Sequence, residues 1–159
     1  MKKKRSMNEL FAALNRGEIP SAEELDALRV SLNPADNIAR RQQLQDKYPF
    51  LRATSIQEGL MAFGFECADG WLPILEKLFE RFQELVDKEG SANRFRVTQV
   101  KEKYGTLRVY HNGGDAYEAF VDKAEALSEV TCELCGQQGM IRDDGWVMVR
   151  CDRCYKEKR

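Results

Sequence analysis

Apolar residues in the first half of the chain recur three and four positions apart, the spacing of a helix that buries one face. Met7, Leu10, Phe11 and Leu14 form one such set, closed by Gly17, and Leu25, Leu28 and Leu32 form a second. Each set follows a capping box, "SMNE" from Ser6 and "SAEE" from Ser21, in which a serine hydroxyl and a glutamate satisfy free N–H groups of the first turn. Asn33 and Pro34 then predict the start of a charged helix through Ile38 and Leu44, ending at "YPF" from Tyr48. A third capping box, "SIQE" from Ser55, predicts a short helix with Ile56, Leu60 and Met61, which Gly64 can terminate. The strongest periodicity follows the turn "CADGW". From Pro73, Leu75, Leu78, Phe79, Phe82, Leu85 and Val86 share one face, and Gly90 is placed to stop the helix.

The period changes at Arg94. "RFRVTQV" alternates Phe95 and Val97 with Arg94, Arg96 and Thr98, the pattern of a strand. "KEKYG" reads as a turn, and "TLRVYHN" as a returning strand with Leu107 and Val109 on one side. "NGGD" breaks that strand, and a helix from Asp115 buries Tyr117, Phe120, Val121, Ala124 and Leu127. The sum is an α+β chain: a helical N-terminal half, a central β-hairpin plus helix, and a cysteine-bearing element at the C-terminal side. The expected organisation is a charged helical segment over 1–52, an α+β core over 53–130 and a zinc-ribbon-like element over 131–159.

That last element carries the clearest chemistry. Cys132 and Cys135 form one Cys-x-x-Cys pair, Cys151 and Cys154 another, with fifteen residues between them. Two such turns deliver four sulfurs to a tetrahedral metal, and this spacing is that of a structural zinc site. Gly136 sits where the first turn bends sharply, and "GMIRDDGWVMV" reads as a hairpin turning at Asp144-Gly145. One structural Zn2+ is the expected cofactor; a redox pair, a disulfide framework and an iron–sulfur cluster are the alternatives. The basic start "MKKKRSMNELFAALNRGE" is interrupted by Asn8, Glu9 and Asn15, so no export signal is expected. The expected compartment is then the reducing cytoplasm, where paired cysteines more often bind metal than each other. No apolar run is long enough for a bilayer, so no membrane partner is expected.

With 43% hydrophobic and 32% charged residues the chain is globular, and its net charge of −1 argues against a protein that coats polyanions. Charge is nonetheless uneven. Arg94, Arg96, Lys101, Lys103 and Arg108 oppose only Glu102 across residues 94–111, with Phe95, Tyr104 and Tyr110 interleaved. Cations on phosphates and aromatics on bases make Arg94, Arg96, Lys101, Lys103, Tyr104 and Arg108 a candidate contact set for nucleic acid or a protein partner. The plainer reading is a hairpin with a solvated or ion-paired face. His111, the single histidine, is a candidate general base without a recognisable nucleophile beside it. Cys67 reads as a small buried residue. Asp143 with Asp144, and Glu66 with Asp69, are carboxylate pairs able to bind a divalent metal for hydrolysis, although a hairpin turn explains the first pair more simply. A His-Asn-His nuclease is disfavoured because "YHNGGD" precedes the first cysteine pair and a second histidine element is missing.

Three stretches, "ADGW" (68–71), "KEKYGTLR" (101–108) and "CELCG…CDRC" (132–154), resemble a family of small bacterial, phage and prophage proteins over residues 63–154. Ala68 stands where that family has glycine. The resemblance implies a phage or mobile-element origin and no particular chemistry. The function expected is a non-catalytic, zinc-stabilised binding protein, phage- or prophage-encoded, that occupies a host protein or complex such as a defence or regulatory assembly. The alternatives are a nucleic-acid-binding regulator using the basic hairpin and ribbon, and a metal-assisted hydrolase built on Asp143, Asp144 and His111.

Overall fold

The computed structural model describes residues 34–53 and 55–157, together with Glu9, Ala12, Ala13, Arg16, Glu18 and Ser21. The helix expected from Ser6 is described only at Glu9, Ala12 and Ala13, which are helical, and the run of Leu25, Leu28 and Leu32 lies outside the described residues. The architecture is α+β. In order come α1 (Pro34–Lys47), β1 (Phe65–Glu66), α2 (Leu72–Glu89), β2 (Val97–Lys103), β3 (Thr106–His111), α3 (Asp115–Ser128), β4 (Met140–Asp143), β5 (Val147–Arg150) and α4 (Asp152–Lys156). Strands β1, β2 and β3 form one sheet in that order, β1 parallel and β3 antiparallel to β2; β4 and β5 form a separate antiparallel hairpin.

Helix α2 is the central beam. Pro73 occupies its first turn, where a missing N–H costs nothing, and Gly90 ends it in the left-handed conformation with its N–H donated to Val86 O. Its face of Leu75, Leu78, Phe79, Phe82 and Val86 is buried, and α3 packs along it and onto β3. The aromatic rings of Phe50, Phe82, Phe95 and Tyr117 interlock, Phe95 stacking on Tyr117 at 4.2 Å between centroids. Each such ring contributes roughly 1.5–3 kcal/mol by leaving water. Leu44, Tyr48, Phe50 and Leu51, at and beyond the end of α1, join this same core. Helix α1 is further tied down by Arg40, which donates twice to Glu76 at 2.5 and 2.6 Å. Arg41 donates to Asp69 (2.5 Å) and to the carbonyls of Phe65 and Cys67.

Two local expectations are corrected. The capping box at Ser55 opens no α-helix: the segment makes turns and then one short 3-10 turn, Leu60–Phe63, in which only Met61 is buried while Ile56 is 60% exposed. Gly59 interrupts it, since its φ of 145° is not helical and a side chain there would meet the Thr98 carbonyl oxygen at 3.3 Å. The turn expected over "KEKYG" is only Tyr104-Gly105; Lys101, Glu102 and Lys103 belong to β2 and pair with Arg108, Leu107 and Thr106. Both turn residues have positive φ, 52° and 81°, the geometry of a two-residue hairpin loop that matches strand twist.

Candidate metal centre and binding cleft

The four cysteines arrive from two knuckles. In the first, Cys132 N–H donates to Gln137 O (2.7 Å), and Gly136 N–H to Cys132 O (2.9 Å), with Gly136 at φ 76°. In the second, Cys151 caps α4, its Sγ accepting from Cys154 N at 3.4 Å. All four sulfurs lie within 4.8 Å of one another, and Cys135 Sγ is 3.7 Å from Cys151 Sγ. Metal–sulfur bonds of ~2.3 Å at tetrahedral angles require an edge of ~3.8 Å, whereas a disulfide needs ~2.05 Å. The set can therefore hold one metal ion, and the disulfide alternative does not fit.

Burial pushes the Cys135 thiol up to about 11 and that of Cys154 higher still. Burial acts on Cys151 in the same sense but is outweighed by the Cys154 N–H and neighbouring thiols, which hydrogen-bond its sulfur and bring it down. Four thiolates cannot share this space without a cation, so metal entry is coupled to proton release.

The first knuckle is bolted to the core through contacts no local pattern reveals. Glu133 O accepts Gly70 N–H at 2.6 Å, Glu133 Oε1 accepts Ala68 N–H at 3.0 Å, and Trp71 Nε1 donates to Thr131 O at 2.9 Å. The second Glu133 oxygen pairs with Arg150 Nη1 at 3.0 Å, both side chains about nine-tenths buried. A side chain on Gly70 would overlap the carbonyls of Cys132 and Glu133, so the "ADGW" turn is a socket for the metal loop. The sequence signal was present in the glycine before a buried tryptophan and the carboxylate inside the knuckle, but Gly70, Glu133 and Arg150 meet only in the folded chain.

The basic hairpin is less uniform than its composition. Arg96 donates to the carbonyls of Ala92 and Phe95, and Arg108 is bonded to Glu125 on α3, so neither guanidinium is held ready for a partner. Arg94 is exposed at the base of the hairpin. Lys101, Lys103 and Tyr104 lie at the tip. There Gly105 packs against the ribbon hairpin, its Cα facing Val147 and Met148. The two tips enclose an open cleft of about 660 Å3 lined by Lys101, Glu102, Lys103, Tyr104, Gly145, Trp146 and Val147. Tyr104 is 73% and Trp146 70% exposed, and Lys103 Nζ lies 5.8 Å from the Tyr104 ring centroid. The Glu102 carboxylate is engaged by Gly105 N–H at 2.6 Å. Trp146 carried no periodic signal, being a lone aromatic just after a turn.

The proposed hydrolytic trio is not assembled. The side chain of His111 is 3% exposed and packs against Phe82; its Nδ1 accepts Gly113 N–H (3.0 Å) and its Nε2 meets Glu118 (2.9 Å). It sits at the far end of β3 from the tip that meets Gly145 and Trp146, roughly 17 Å along the strand at ~3.3 Å per residue. Asp144 accepts the Tyr155 hydroxyl, Glu66 accepts Gln99 Nε2, and Asp69 is held by Arg41. Burial pushes the Cys67 thiol up to about 12. No helix among the described residues is long and apolar enough to cross a membrane. No family model matches the chain, and neither curated proteins nor solved structures match it.

Proposed function

We propose that this chain is a non-catalytic binding protein held together by one structural zinc ion, encoded by a phage or prophage and acting in the bacterial cytoplasm by occupying a host macromolecule. The observation that carries the reading is the buttressed four-sulfur knuckle pair. Its four thiolates fill a tetrahedral sphere and leave no position for water or substrate, while its hairpin is set beside the basic hairpin so that two aromatics stay exposed around one cleft. Zinc is the divalent ion suited to such a closed thiolate tetrahedron. The phage origin rests on the sequence resemblance over residues 63–154. A host protein or complex, including a defence or regulatory assembly that the chain would inhibit, is supported by the near-neutral charge. The lysines beside Tyr104 and Trp146 support a second reading, a nucleic-acid-binding regulator.

Elemental analysis of the purified chain is expected to find one zinc per molecule, lost together with thermal stability in Cys132→Ser. A chain that folds unchanged without metal overturns the structural role. Affinity capture from a bacterial lysate, with and without nuclease, is expected to recover a partner with the native chain and not with Tyr104→Ala/Trp146→Ala. Recovery of the same material by both refutes the cleft as the contact.

A further inference from the structure

We infer that the cleft between the two hairpin tips is a single-stranded nucleic-acid site, in which Tyr104 and Trp146 stack on unpaired bases while Lys101 and Lys103 hold the phosphates. This rests on the second, nucleic-acid-binding reading of the same cleft and names its ligand class. Three observations converge. The volume, about 660 Å3, falls in the range of ~300–1,000 Å3 that accommodates ligands of a few rings. Its two aromatics are among the most exposed large apolar residues described, from turns that are far apart in sequence and brought to one opening by the packing of Gly105 on Val147. Tyr104 is also the one non-glycine residue with positive φ among those described. Asparagine or glycine makes this turn without strain, so a tyrosine here places a ring at the cleft against backbone preference.

Charge decides between a base-stacking ligand and an apolar peptide. Lys101 and Lys103 face the cleft, and the one carboxylate lining it, Glu102, is held to the turn by Gly105 N–H, so the lining carries two positive charges against one negative. A flat aromatic ligand carrying negative charge at regular intervals matches that surface. The double helix does not, because its bases are already stacked on one another.

The test uses the metal-loaded full chain and a short single-stranded dT oligonucleotide. The protein has two tryptophans, and Trp71 is fully buried, so quenching of the exposed fluorescence reports Trp146. Saturable quenching is expected, with log affinity falling against log salt at a slope near −1.4, the value for two neutralised phosphates on a single strand at roughly −0.7 each. With a labelled oligonucleotide, Tyr104→Ala and Trp146→Ala are each expected to weaken binding by about tenfold or more. Lys103→Ala should flatten the slope by roughly 0.7. All these side chains are on the surface, and retained metal content verifies each variant's fold. Absence of quenching at low salt, equal affinity for duplex of the same length, or indifference to both aromatic substitutions overturns the inference. If the oligonucleotide fails while a host protein is captured through Trp146 despite nuclease, the nucleic-acid site is refuted and the binding-protein reading stands; if neither binds, both fall.

Discussion

Replacing Glu133 by alanine separates the metal loop from the core without touching a cysteine. In the native chain its carboxylate accepts Ala68 N–H and Arg150 Nη1, each at 3.0 Å, and side-chain exposure at the ion pair is 10% for Glu133 and 9% for Arg150. Alanine removes the partner of a buried guanidinium, which costs about 3–5 kcal/mol because the remaining charge is not rehydrated. The orphaned Ala68 N–H adds to that loss. For a domain of this size each kcal/mol moves Tm by about 2–4 °C, so thermal denaturation of the metal-loaded protein should shift down by roughly 6–20 °C. The matched control is the double variant Glu133→Leu/Arg150→Met, in which the pair is replaced by apolar groups. It should be less destabilised than the sum of the two single substitutions, since neither charge is then stranded. Metal content measured before melting separates loss of the docking contacts from loss of the ion. A drop of less than about 2 °C for Glu133→Ala, or strict additivity in the cycle, refutes the claim that this pair fastens the knuckle.

Acidification should release the metal with proton uptake. Metal-bound cysteines lose their protons far below the ordinary thiol pKa, so the stability they contribute is fully present above that ordinary value and is lost as pH falls and protons compete for the sulfurs. The metal-free cage reinforces this, burial holding Cys135 at about 11. A chromophoric chelator followed from pH 8 to 4 should report the ion appearing on the acid side, and release that is independent of pH refutes thiolate ligation. Cys67, pushed up to about 12 by burial, carries about one thiolate in ten thousand at pH 8. Its stability contribution is therefore complete at neutral pH and is lost progressively as pH rises from the ordinary thiol value of about 9 towards about 12. Iodoacetamide at pH 8 should leave Cys67 unmodified in the native chain and label it in denaturant, as peptide mass mapping will show; rapid native labelling refutes the burial argument.

Local signals in the sequence fared according to whether local forces decide the structure. The run from Leu75 to Val86 and its stop at Gly90 are legible because one amphipathic face and one cap suffice to define a helix. The cysteine spacing is legible for a similar reason: two Cys-x-x-Cys turns suffice to bring four sulfurs within 4.8 Å of one another. The capping box at Ser55 misled because Gly59, a few residues on, adopts a non-helical backbone angle beside Thr98, a tertiary fact. For Arg96 and Arg108 the plainer reading of a paired basic face holds, since carbonyl oxygens and Glu125 engage them, though only the fold says which partners they take. The opposite happened at Trp146, which has no neighbours of its own kind in sequence and acquires Tyr104 as a companion only when two hairpins meet. The cleft was therefore half visible, through Lys101, Lys103 and Tyr104, and its second wall was not.

The socket that receives the metal loop also sets an order of events during synthesis. Trp71 and Ala68 must wait for Thr131 and Glu133, 60 and 65 positions later. Until those residues leave the ribosome, the indole N–H and the turn before α2 lack their acceptors, and the tryptophan lacks its cover. The sulfurs of Cys151 and Cys154 are then the last to join the four-sulfur set, which stays incomplete until that stretch has been made.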